Sequence, residues 1–255
     1  MIYVFDIEVF KHDWLVVFKN MGTGEYKVIH NDNYQLKTFV SPDHLYAGFN
    51  NKHYDNHIIK AIICGADNAL VKEINDFIID GNLGWNHWYI KENRAWFNSF
   101  DIRDDMQIGL SLKAIEGHLG MNIEETSVPF DIDRPLTKEE LEETIKYCKH
   151  DVDTTEKIIK LRKSYLDGKL ALGQLKGISP EKALYMTNAK MTAAFLEASR
   201  REWDDERNYH YPPNLKRERV PSEVFEFFDR MHDPEISDDE LFKSKIKFEI
   251  GGCPC

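Results

Sequence analysis

Three short apolar, β-forming runs come first in this chain, and helical periodicity enters only after them. Residues 2–7 (IYVFDI), 13–19 (DWLVVFK) and 26–30 (YKVIH) are such runs, with turn chemistry (MGTGE) at 21–25. Consecutive runs joined by tight turns pair as an antiparallel meander, which constrains the fold more than composition does. A buried strand is expected at 45–50 (LYAGFN), helices at 54–64 and 69–79, a strand at 96–102 and a helix at 111–120. The longest helix is expected over about 138–165, with Thr137 as N-cap and Glu140 three residues on, as a capping box requires. Strands first, then alternating helix and strand, then a long helix predict an α/β domain on a mixed sheet flanked by helices, ending near residue 165.

Residues 166–255 read as a mainly helical appendage. An amphipathic helix is expected at 179–202, a break at 209–214 (YHYPPN), a helix at 221–231 and a strand at 246–250 (IKFEI) that has no visible partner. A strand followed by Gly-Gly and the end of the sequence leads us to expect a piece of something longer. No internal repeat is visible.

Hydrophobic residues make up 42% of the 255, enough for a packed core. The formal charge of −11 argues against a protein that coats nucleic acid through a broad basic field, but not against a small site whose acids are neutralised by cations. The opening MIYVFDIEVF lacks the basic start of a signal peptide, and no run approaches the roughly 20 apolar residues of a membrane span. An intracellular, cytoplasmic protein is expected. Cys64 and Cys148 read as packed thiols, and the terminal Cys253 and Cys255 lack further ligands for a zinc site, so all four are expected to be reduced.

The chemistry lies in a few acids. Asp6 and Glu8 are two apart on the first strand, so both point from one face. Two carboxylates on one face of a buried strand repel unless a cation sits between them, although such pairs also occur on exposed strand ends. Asp55 follows the strand at 45–50 in the run Asn51-Lys52-His53-Tyr54-Asp55. There Asn51 offers an amide to a base or sugar and Tyr54 a face for stacking, the plain alternative being a capped helix start. Tyr147 and Asp151 lie one turn apart on the long helix, near the edge of its apolar side, with Asp153 beside them as in a solvated acidic patch. Converging, Asp6, Glu8, Asp55 and Asp151 provide oxygen ligands for two hard cations, Mg²⁺ or Mn²⁺, about 4 Å apart, which would clamp a phosphodiester displacement. No phosphate loop, HExxH or GxSxG motif competes.

The order Asp-x-Glu, Asn-x-x-Tyr-Asp, Tyr-x-x-x-Asp resembles the three exonuclease motifs of the DEDD superfamily, in its tyrosine-bearing branch, over residues 1–165. That branch includes the proofreading domains of family A and family B DNA polymerases. The resemblance implies an RNase H-like fold, metal binding by Asp6, Glu8, Asp55 and Asp151, and a Tyr147 phenol that positions the attacking water. Ser111-Leu112-x-x-Ile115 is similar to the single-strand-binding motif of phage-type family B enzymes, and Arg134-Pro135 with Thr137 looks like their protein-primed members. Their additional lysine between the second and third motifs has no clear counterpart, because no lysine occurs between Lys113 and Lys138. The Asp151-x-Asp153-x-Thr155 run looks equally like family A.

The expected activity is therefore 3′→5′ hydrolysis of single-stranded DNA ends, with Asn51, Tyr54, Ser111 and Leu112 holding the terminal nucleotides. No polymerase active site is recognisable, and the tail is expected to connect to a polymerase module outside this sequence. Two alternatives stay open: a self-standing exonuclease on RNA or short oligonucleotides, and a non-catalytic acidic binding module.

Overall fold

The computed structural model describes residues 1–104, 106, 109–198, 215, 216, 218 and 220–230. The chain forms two compact units, Met1–Ala198 and Ser199–Cys255. The described helix of the second is Ser222–Arg230, close to the expected 221–231. The expected break at 209–214 and strand at 246–250 lie outside the described residues, as do Cys253 and Cys255.

The first unit is an α/β structure. Its five strands are β1 (Ile2–Val9), β2 (Trp14–Asn20), β3 (Tyr26–His30), β4 (Leu45–Gly48) and β5 (Ser99–Asp101). They form one mixed sheet in the order β3-β2-β1-β4-β5. The β1–β2 and β2–β3 pairs are antiparallel, as the early turn chemistry predicts, whereas β4 and β5 run parallel to β1. The helices are α1 (Asn33–Phe39), α2 (Asp55–Ile63), α3 (Asn68–Ile79), α4 (Trp88–Glu92), α5 (Leu112–His118), α6 (Lys138–Leu161), α7 (Lys163–Leu175), α8 (Pro180–Tyr185) and α9 (Asn188–Phe195).

The sheet is buried on both faces, and the period-two alternation of its strands assigns residues to each. Phe5, Ile7 and Val9 of β1 join Trp14, Val16, Phe18 and Tyr46 against Leu36 of α1, Ile58 and Ile62 of α2, and Val71 and Ile74 of α3. Val4 joins Leu15, Val17, Ala47 and Phe100 on the opposite face, against Ile115 of α5 and Cys148, Val152 and Ile159 of α6. Asp6 and Glu8 follow Val4 at the same period, so they face the α5–α6 layer.

The capping box at the start of α6 is present: Thr137 Oγ1 accepts from the Glu140 N–H at 3.2 Å and Glu140 Oε2 accepts from the Thr137 N–H at 2.8 Å. Further along α6, Lys19 of β2 pairs with Asp153 at 2.6 Å and Glu156 at 2.9 Å, and the Tyr26 hydroxyl of β3 also donates to Asp153. Asp153 is thus an anchor between helix and sheet rather than part of a solvated patch.

Boundaries depart from expectation in three places. The long helix stops at Leu161 and α7 restarts at Lys163. The helix expected over 179–202 is split into α8 and α9, because Met186 is extended and Thr187 caps a new start by accepting the Lys190 N–H. The compact unit runs past 165 to Ala198, since Leu166, Leu170 and Leu184 pack onto the second face of the sheet. Helices α1 and α4, seven and five residues long, are too short for periodicity to announce. No helix among the described residues is long and apolar enough to cross a membrane.

Candidate metal centre

The site exists because β1 outruns its parallel neighbour. Strand β4 pairs with Ile2, Tyr3 and Val4 and ends at Gly48, leaving the Asp6–Val9 half of that edge without a strand. Asp55, the first residue of α2, fills the gap: it is 5% exposed and accepts the Ile7 backbone N–H. Asp151 arrives from α6, which packs across the same face of β1. Asp6, Glu8, Asp55 and Asp151 all line one cavity of about 370 Å³. Four carboxylates from three elements, separated by up to 145 positions, therefore share one pocket.

Electrostatics in this pocket are unfavourable to the anions. Burial, then the charges of Glu8, Asp55 and Asp151, hold the Asp6 carboxyl well above the usual range. Glu8 is raised well above its ordinary value by burial and by Asp151 and Asp55, with Lys113 opposing. Burial lifts Asp55 to about 7 against the bonds from its own and the Ile7 N–H. Asp151 is lifted to about 6, again chiefly by burial, while the Tyr147 phenol within hydrogen-bonding reach opposes the rise. Desolvated like charges at this density are relieved either by protons or by cations.

The donor set is one of hard oxygens, which suits Mg²⁺ or Mn²⁺. Cys148 lies among them, its thiol donating to Asp6 Oδ2 at 3.3 Å. Burial and the surrounding carboxylates push that thiol well up, so it acts as a neutral donor that orients Asp6 rather than as a thiolate ligand. Tyr147, half-buried on α6, has its own phenol raised by burial and by Asp151 and Glu8.

Of the residues expected to hold nucleotides, Tyr54, Ser111 and Leu112 line the cavity. Tyr54 is pinned by its hydroxyl bond to Asn75 and by packing in the first-face cluster. Ser111 is the N-cap of α5, accepting the Ala114 N–H at 3.1 Å, so its hydroxyl oxygen already has a partner. Asn51 does not join them. It is 0% exposed, and its amide lies 3.1 Å from that of Asn56 and 3.2 Å from the Gly48 and Phe100 carbonyls. Its role here is to close the β4–α2 turn beneath the pocket, not to offer an amide to a base.

The residue that does face the cavity is Asn50, in left-handed backbone at φ 63°, whose side chain accepts from Arg103 at 2.5 Å. Arg103 lines the pocket as well, held by its backbone bond to buried Asp101. Lys113 is the other cation of the site, its ammonium 5.4 Å from the centre of the Tyr147 ring and 3.0 Å from Glu125. Neither cation stood out in the sequence. Lys113 directly follows Leu112, and that adjacency was the available signal.

Compared with protein-family models, with curated proteins and with solved structures, the chain matches none.

Proposed function

We propose that this chain is a metal-dependent 3′→5′ exonuclease that shortens single-stranded DNA from its 3′ end. The observation that carries the reading is the convergence of Asp6, Glu8, Asp55 and Asp151 on one cavity, with raised proton affinities that a pair of dications would relieve. A mixed sheet with the paired acids on its central strand supports the RNase H-like reading, and the motif order supports membership of the tyrosine-bearing DEDD branch.

Asp6, Glu8, Asp55 and Asp151 would hold two ions such as Mg²⁺ or Mn²⁺, which supply charge neutralisation and Lewis acidity for phosphodiester hydrolysis when bound. The Tyr147 phenol, beside Asp151, would orient the attacking water. Arg103, which lines the pocket, and Lys113, whose charge reaches Glu8, offer the local positive charge that the chain as a whole lacks, and they would meet a substrate phosphate. Phe49, Tyr54 and Leu112 give apolar and aromatic surface for unpaired terminal bases, where stacking is worth about 1–3 kcal/mol per base. The resemblance to phage-type proofreading domains makes a DNA polymerase module the expected partner.

The test is digestion of a 5′-labelled single-stranded DNA oligonucleotide with Mg²⁺ or Mn²⁺, comparing the chain with its Asp6→Ala/Glu8→Ala variant. A ladder shortening from the 3′ end, absent in the variant, is expected. A ladder that persists in the folded variant would sink the assignment. An RNA oligonucleotide run in parallel separates the DNA reading from that of an RNA or oligonucleotide exonuclease.

A further inference from the structure

We propose a separate cation site between α5 and α6, formed by Glu116, His150 and Asp151 and suited to one transition-metal dication. Glu116 is 0% exposed, an unusual place for a carboxylate. Its Oε1 accepts the Thr154 hydroxyl at 2.7 Å, but its Oε2 has no hydrogen-bond partner. His150 Nε2 stands 2.8 Å from Glu116 Oε1, an ion-pair contact when the ring is protonated, but makes no hydrogen bond there. Asp151 Oδ1 is the third such atom.

Among the described residues five buried side-chain atoms lack a partner, and these three of them fall on residues whose donor atoms lie within 4.8 Å of one another. Buried polar atoms are overwhelmingly paired, so atoms without a hydrogen bond on three neighbouring residues call for one shared partner. Two carboxylate oxygens accept only donors or cations. A neutral imidazole with its proton on Nδ1 offers a lone pair at Nε2, 2.8 Å from Glu116 Oε1, where only a cation or a proton relieves the contact. A dication held among the three residues would serve them together. One imidazole nitrogen with two carboxylates favours zinc, cobalt or manganese over magnesium, which prefers an all-oxygen, near-octahedral shell.

This site is not the acidic cavity. Glu116 and His150 do not line that cavity, and Asp151 alone belongs to both. The proposal therefore stands whether or not the chain is a nuclease.

Zn²⁺ titration of the full chain by calorimetry tests it, in an Asp6→Ala/Glu8→Ala background so that the acidic cavity is disabled. One saturable Zn²⁺ is expected, not displaced by millimolar Mg²⁺, and weakened at least tenfold by Glu116→Gln and by His150→Gln. Co²⁺ substituted for Zn²⁺ should give a visible absorption band that His150→Gln alters. Absence of saturable Zn²⁺ in the background variant overturns the site, as does Zn²⁺ binding of equal affinity in both Gln variants. If Glu116→Gln fails to fold by circular dichroism, His150→Gln decides, because His150 is partly exposed on α6 and its replacement leaves less unsatisfied in the core.

Discussion

At the scale of single residues, the acidic pocket makes a claim about pH. Asp55 has a folded-state value of about 7 against 3.8 ordinarily, and Asp151 about 6 against the same reference. Both are raised, so their stabilising contribution is complete below about pH 4 and is lost as pH rises through 6 to 7. Metal-free protein should therefore melt at progressively lower temperature between pH 4 and 7 in EDTA. Mg²⁺ or Mn²⁺ at pH 8 should restore what was lost. Under the same metal-free conditions at pH 8, Asp55→Asn should raise the melting temperature while abolishing metal binding. A melting profile in EDTA that is flat from pH 4 to 7 would show that the acids are solvated rather than desolvated. A second residue-scale expectation concerns Tyr147, whose phenol lies beside Asp151 but does not line the cavity. Tyr147→Phe should slow digestion about 10²-fold, the lower end of what a positioned proton-handling group contributes. Titration should still find two ions, which separates loss of water orientation from loss of ligands.

At the scale of elements, two junctions hold the site together. The β4–α2 turn brings Asp55 to the open edge of β1, and it is tight: a Cβ on Gly48 would meet the Asn51 Cβ at 2.7 Å. Neither atom can swing away, so Gly48→Ala should destabilise by about 1–3 kcal/mol in chemical denaturation. It should also weaken metal binding, since Asp55 follows on the same turn. The other junction is α6 on β2. Lys19 is 14% exposed and bonded to both Asp153 and Glu156, so Lys19→Met removes the cation they share and leaves Asp153 with the Tyr26 hydroxyl and Glu156 with Lys160. Hydrogen bonds to charged groups are worth about 1.5–3 kcal/mol, and a loss in that range is expected from urea denaturation.

Much of this element scale was legible in the sequence. The β1–β3 meander, α2, α3, α5 and the capped start of α6 follow from local period and turn chemistry, because those signals act within a few residues. The split of the 179–202 segment into α8 and α9 was not legible, since apolar spacing runs through Met186 and only the backbone turn there interrupts it. Asn51 shows the same limit at a candidate site residue. Its position in the motif is local, but whether its amide faces solvent or the β4–β5 backbone depends on how the turn packs.

At the scale of the whole molecule, the compact first unit reaches Ala198. Leu166, Leu170 and Leu184 complete the apolar layer over β5 and α6, and the buried Lys169 lies with them on α7. A chain ending at 165 forfeits that cover, at about 1.5–3 kcal/mol for the buried Leu184 and less for the half-buried Leu166 and Leu170, and should melt well below the full chain or fail to unfold cooperatively. A chain ending at 198 should keep a single sharp transition. Equal melting temperatures for the two truncations would place α7 and α8 outside the folding unit.

The net charge of −11 acts at this scale too: it would repel an anionic ligand except near Arg103, which lines the cavity, and Lys113, whose charge reaches Glu8. It was readable by counting, whereas the location of the local positive charge was not. The sequence by itself determined the strand-first order, the apolar β-forming runs, the capped start of α6, and the identity and spacing of the acids. Each of these is a property of neighbouring residues and their backbone preferences. Only the tertiary structure decided that β4 stops short of β1, that Asp55 fills the gap and that Asp151 crosses above it. It alone placed Lys113 over Tyr147 and buried Glu116 with an oxygen to spare. Those outcomes depend on packing between elements up to 145 positions apart, a distance over which no local signal in the chain carries information.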